Sequence, residues 1–187
     1  MEDILEKIKD FADRAHGEQT RKYIPDRYIV HPVRVMNICK EYTNDITILA
    51  AALLHDVLED TSVTKTEIQN FQLRLMDAAQ AEKTVKLVEE LTDVYIKNDY
   101  PGWNRHKRKD KEAERLEATS PEAQTIKYAD IIDNSVEIVN QDIDFAGIFL
   151  HEGRAILKKI NKDDQRLYQR AIETVNRSIQ QLEEKKK

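Results

Sequence analysis

The apolar stretch over residues 45–58 (DITILAAALLHDVL) ends in side chains that a buried helix has little reason to carry: His55 and Asp56, followed one turn later by Glu59 and Asp60. Burying an imidazole and carboxylates without partners is costly, so something must satisfy them. Neighbouring helical residues point about 100° apart, so His55 and Asp56 share an ion only if it sits at the helix flank. Such an ion needs further ligands from other segments. His31 opens one neighbouring helix, and Asp130 lies within the apolar pattern of Ile126, Ala129, Ile131 and Ile132. Two imidazoles and two carboxylates form a mixed nitrogen and oxygen set that suits Mn²⁺, Fe²⁺ or Co²⁺ with positions left open. An ion of that kind acidifies a bound water. Glu59 and Asp60 follow His55 and Asp56 at the i,i+4 spacing, and a carboxylate placed there can take or return a proton.

Each residue also has a plainer reading. An HD dipeptide occurs by chance in many chains. His31 before Pro32 can be a packing residue, and Asp130 a satisfied carboxylate on a helix face. Glu59 and Asp60 can be a solvated helix end, although carboxylates at a helix C-terminus oppose the macrodipole. Compatible ligands from several segments are harder to dismiss than any one of them.

The elements that must position these groups read as consecutive helices with short connectors. Ile4, Leu5, Ile8, Phe11, Ala12 and Ala15 share one face of a helix over 3–16, which His16 and Gly17 close, Gly17 suiting a left-handed terminal position. Residues 18–30 are irregular, with Pro25 as a breaker, and a helix starts near His31-Pro32 and runs to about 42. The helix over 45–58 is apolar nearly all round and belongs in the middle of the protein. Thr64-x-x-Glu67 forms a capping box for a short helix toward Phe71. An amphipathic helix over 74–91 precedes a loop containing Pro101-Gly102. Helices over 105–117, from Ser120-Pro121 to about 140, over 143–160 and over 163–183 complete the chain.

The sequence has 187 residues, 40% hydrophobic and 35% charged, with four Gly and four Pro. That balance predicts an all-α chain forming one domain over 1–187, and excludes the turn-rich meanders of a sandwich or barrel. A single cysteine, Cys39, forms no internal disulfide and fits a reducing compartment. No apolar run approaches ~20 residues, so no membrane span is expected. The N-terminal residues MEDILEKIKD carry no signal-type stretch. A net charge of −5 argues against duplex nucleic acid as a partner. Cytoplasmic localisation is the expectation. Arg105, Lys107, Arg108, Lys109 and Lys111 form a cationic run that reads first as a solvated helix face and second as a phosphate clamp. Trp103 before it is either a lid or an anchor for its loop.

Three segments resemble the signatures of a known family: HPVRV (31–35), LLHDVLEDT (53–61) and IKYADIIDN (126–134). They look like those of HD-domain metal-dependent phosphohydrolases. The likeness is strongest to the hydrolase half of RelA/SpoT-type alarmone enzymes and their stand-alone small relatives. Ala15-His16-Gly17-Glu18-Gln19-Thr20-Arg21 and Lys127-Tyr128-Ala129-Asp130-x-x-x-Asn134 match further segments of that group in order and spacing. The resemblance covers roughly 8–140, with the helices over about 143–183 beyond it. It implies a helical bundle of the HD type, with His31, His55, Asp56 and Asp130 as ligands of a divalent ion, Mn²⁺ first. It implies Glu59 and Asp60 as the catalytic pair, and Arg21, Lys22 and Asn134 as contacts to a nucleotide.

The function expected from this is hydrolysis of a guanosine 3′,5′-bis(diphosphate) at the 3′ position, with pyrophosphate released. An HD phosphohydrolase acting on another nucleotide or phosphate monoester is the alternative within enzymes. A non-catalytic nucleotide-binding module is the alternative outside them, and it would be expected to have lost ligands. A synthetase is not expected, because no G-x-x-x-x-G-K phosphate loop occurs.

Overall fold

Polar side chains at helix starts set most of the element boundaries. In the computed structural model, which describes residues 1–22 and 24–186, the fold is all-α, with ten helices among the described residues. They are α1 (Glu2–His16), α2 (Val30–Lys40), α3 (Ile46–Leu54), α4 (Val57–Asp60), α5 (Lys65–Gln72), α6 (Ala78–Leu91), α7 (Arg105–Glu117), α8 (Pro121–Gln141), α9 (Ile143–Leu157) and α10 (Gln165–Lys185). The Thr64–Glu67 capping box is present, and a second one, Asp77 with Gln80, starts α6 later than its apolar pattern indicates. Asp45, Asn104, Ser120, Asp142 and Asp164 each accept a hydrogen bond from a backbone amide at their helix starts. Gly17 ends α1 with φ at +56°, a conformation that a β-carbon would strain. None of the described helices is long and apolar enough to cross a membrane.

The chain divides into two units, Met1–Thr92 and Asp93–Lys187. In the first, α3 is the central helix, packed against α1, α2 and α6, and eight of its nine residues are buried. Ala50, Ala51 and Ala52 let neighbouring helices approach closely, while Leu49, Leu53 and Leu54 fill the space between them. Each such leucine contributes roughly 1.5–3 kcal/mol through burial. In the second unit α8 packs on α9 and α10, and α7 lies along α9.

The departure from the expected helices that bears on function falls at the chemistry. The continuous helix over 45–58 is interrupted: α3 stops at Leu54, and α4 starts at Val57. His55 and Asp56 keep helical torsion angles at this joint. The His55 ring, however, hydrogen-bonds the Ala52 carbonyl, which a continuing helix would offer to the Asp56 amide. Glu59 and Asp60 consequently lie in the first turn of α4 rather than at the end of a long helix.

Candidate active site

His55 is 5% exposed, and its Nδ1 lies 2.8 Å from the Ala52 carbonyl oxygen. A carbonyl only accepts, so Nδ1 carries the proton and Nε2 presents its lone pair. That lone pair is 3.1 Å from Asp56 Oδ2, and the same oxygen is 3.7 Å from His31 Nε2. His31 is 1% exposed, delivered from the first turn of α2, where Pro32 costs no hydrogen bond. One ligand atom from each of His31, His55 and Asp56 lies within 4.8 Å of the others. Electron-pair donors gathered this closely repel one another unless a cation or a proton lies among them. The set fits a divalent ion: two imidazoles, one carboxylate, and for His55 a tautomer fixed from behind.

The loop between α1 and α2 braces this trio. It folds back on itself through an antiparallel bridge between Thr20 and Arg27, with the Tyr28 amide donating to the Gln19 carbonyl and the Arg21 amide to the Asp26 carbonyl. Arg27 pairs with Asp13 of α1 at 3.0 Å. The clasp aims Tyr28 inward, and its hydroxyl donates to Asp56 Oδ2 at 2.8 Å. Burial, followed by the negative charges of Asp56 and Asp60, pushes the Tyr28 phenol far above its ordinary range, so it acts as a donor. Tyr28→Phe is expected to weaken binding of a divalent ion by about 10-fold or more, as loss of a hydrogen bond to a ligand usually does. Calorimetry decides this, and an unchanged Kd removes Tyr28 from any supporting role.

Three side chains pack around the Tyr28 ring. His16 stacks on it at 4.4 Å, the Arg21 guanidinium lies 5.4 Å from its centroid, and His31 meets it edge-on at 6.2 Å. Arg21 thereby stands beside the tyrosine that donates to Asp56. Lys22 is exposed next to it. Glu59 and Asp60 are exposed residues of α4, but the Asp60 carboxyl is partly desolvated beside Tyr28, and the Asp60 amide donates to the Asp56 carbonyl at 2.9 Å. Desolvation, then the charge of Asp56, raises the Asp60 carboxyl above the ordinary carboxylate range, while the Tyr28 hydroxyl acts in the opposite sense. A carboxyl held this way carries a proton to higher pH than a free aspartate.

Asp130 belongs to the second unit, on α8, where it is 8% exposed. Lys127 holds its Oδ2 at 2.8 Å, and Asn134 donates to its Oδ1 at 2.6 Å. Asn134, expected at a nucleoside, therefore also orients Asp130. The cationic run of α7 is engaged locally. Arg105 makes a two-pronged pair with Glu152, Lys109 pairs with Asp93, and Lys111 with Glu114. Trp103 clusters with Tyr95 and Tyr100 beneath Lys107, which makes it an anchor for its loop.

A family model described as HD domain matches residues 28–135. The chain belongs to the HD domain family. This HD chain is 38% identical over 133 residues to the human guanosine-3′,5′-bis(diphosphate) 3′-pyrophosphohydrolase MESH1, covering 70% of the chain and 66% of the relative. It is 31% identical over 170 residues to an Aquifex aeolicus protein also named guanosine-3′,5′-bis(diphosphate) 3′-pyrophosphohydrolase, covering 88% of the chain but 20% of that relative. It spans 8% of a Mycobacterium leprae relative named probable GTP pyrophosphokinase. A solved structure of a metazoan SpoT ortholog, described as hydrolysing ppGpp, superposes with a TM-score of 0.78 at 21% identity, over 93% of this chain and 94% of that one. That likeness shows that the two chains share a fold.

Two members of the HD site are not singled out as functional by the sequence. Tyr28 stands three residues before His31, a spacing that one helical turn brings to the same side, and the His31 amide does donate to the Tyr28 carbonyl. His16 reads from the sequence only as the residue that closes the first helix, although it lies inside the Ala15–Arg21 match.

Proposed function

We propose that this HD domain is a divalent-metal-dependent phosphohydrolase that removes pyrophosphate from the 3′ position of guanosine 3′,5′-bis(diphosphate). The observation that carries the reading is the convergence of His31, His55 and Asp56 beside the Glu59–Asp60 pair. Relatives named for this hydrolysis support the choice of substrate. The chain acts as one functional domain in this reading, because the family match runs across the boundary at Thr92. Cytoplasmic residence fits a chain whose single cysteine, Cys39, is buried.

Mn²⁺ is the proposed ion, held by His31, His55 and Asp56, with Asp130 as the fourth ligand on the strength of the sequence pattern. When bound, it supplies Lewis acidity and a nucleophile near neutral pH. The rest is the work of the chain. Asp60, with its raised proton affinity, returns a proton to the departing ribose oxygen, while Glu59 accepts the proton of the attacking water. Arg21 and Lys22 bind the phosphates through charge-assisted contacts. Asn134 contacts the nucleoside in addition to holding Asp130.

The product tests this. Incubating the Mn²⁺-loaded protein with a panel of nucleotides, and assaying pyrophosphate and orthophosphate separately, should give pyrophosphate from the 3′-diphosphate alone, with the 5′ phosphates intact. Arg21→Ala should raise KM about tenfold or more for this polyanion. Orthophosphate as the only product, or turnover of other nucleotides but not this one, leaves a broader HD phosphohydrolase and removes the alarmone reading.

A further inference from the structure

His16 is 94% buried, being 6% exposed, yet among the described residues its Nε2 has no hydrogen-bond partner. Its other ring nitrogen, Nδ1, lies 2.9 Å from Gln19 Oε1. An amide oxygen only accepts, so Nδ1 holds the proton and Nε2 is left as a bare acceptor. The ring cannot easily turn away, because it stacks on Tyr28, which is itself tied to Asp56. A charge on His16 would bear on the Asp60 carboxyl, which places the ring among that group's electrostatic neighbours. Buried polar atoms without a partner are rare in folded proteins and normally mark a missing water or ligand. Packing does not account for this one, since an apolar ring would stack on Tyr28 as well.

We propose that His16 is a positioning residue of this site: its Nε2 accepts the hydrogen bond of an O–H group held beside Asp60, either a nucleotide hydroxyl or the water with which Asp60 exchanges its proton. The chemistry is the same in both cases, a hydroxyl donor fixed by a lone pair whose direction the Nδ1–Gln19 bond sets. The inference rests on the proposed function of the same site.

Two substitutions in the full chain separate this role from a structural one. A glutamine amide reaches the Nε2 position and an asparagine amide reaches the Nδ1 position. His16→Gln should therefore retain kcat/KM to within about threefold, and His16→Asn should lose about tenfold, the size of one net hydrogen bond. Where the His16→Asn loss lies in KM, the donor is a nucleotide hydroxyl. Where it lies in kcat at constant KM, the donor is the water. A role confined to the Gln19 contact predicts the reverse ranking, and that ranking overturns the proposal, as do equal activities in both variants. A second measurement does not need turnover. Nitrogen spectra of the metal-free protein should show the His16 ring protonated at Nδ1, and protonation at Nε2 sinks the proposal outright. If the wild-type chain leaves the 3′-diphosphate intact, the substrate reading fails by itself, and the tautomer still decides the role of His16.

Discussion

Asp56→Ala is expected to abolish binding of one divalent ion per chain. Asp56 supplies the anionic member of the trio, and its Oδ2 is the atom that faces both imidazoles, at 3.1 Å and 3.7 Å. Without it two neutral nitrogens from His31 and His55 remain, a set with neither the charge nor the geometry to hold Mn²⁺ tightly. Calorimetry should show the affinity falling by about 100-fold or more, beyond the 10–100-fold typical of losing a group behind a ligand. Melting gives an independent readout. An ion at 100 times its Kd stabilises a folded protein by about 2.7 kcal/mol, so Mn²⁺ should raise the Tm of the wild type and leave that of the variant where it was. Asp56→Ala binding Mn²⁺ as tightly as the wild type would show that the convergence of these three side chains is not a metal site.

Glu59→Gln and Asp60→Asn should do the opposite, leaving the metal content near normal and cutting turnover by about 100-fold or more. The amides keep size and hydrogen-bonding shape but cannot move a proton. Asp60 is the sharper case, because desolvation and the Asp56 charge already favour its protonated form, and asparagine resembles that form in everything except the proton it could give up. The measurement is kcat under saturating Mn²⁺ alongside metal content by elemental analysis. Loss of metal together with activity would move these residues into the ligand set. Full activity in both would reduce the pair to a helix start.

The local half of the architecture is written in short-range sequence, because helix starts are set by side chains a few residues from the amides they satisfy. The Thr64–Glu67 box and the Ser120-Pro121 start stand where the sequence indicates them. So does the burial of α3, since a helix apolar on every side has nowhere else to go. The start of α6 shows the limit, as the Asp77–Gln80 box overrides an apolar pattern that begins earlier. The types of the site residues were equally legible: His31, His55, Asp56, Glu59 and Asp60 stand out because buried imidazoles and carboxylates need a reason. Tertiary structure alone decided how those groups meet. The packing of α2 on α3 brings His31 to His55 across two dozen residues, and the Ala52 carbonyl breaks the helix at the joint and fixes the tautomer that aims the Nε2 lone pair of His55. The clasp of the Thr20–Arg27 loop sets Tyr28 against Asp56 and His16 against Tyr28. The α2–α3 packing and the Tyr28–Asp56 contact join residues distant along the chain, whereas the Ala52–His55 bond is local but takes its meaning from them. The long-range pair forms only when burial of the α3 core draws the helices together, so no local pattern could have specified it.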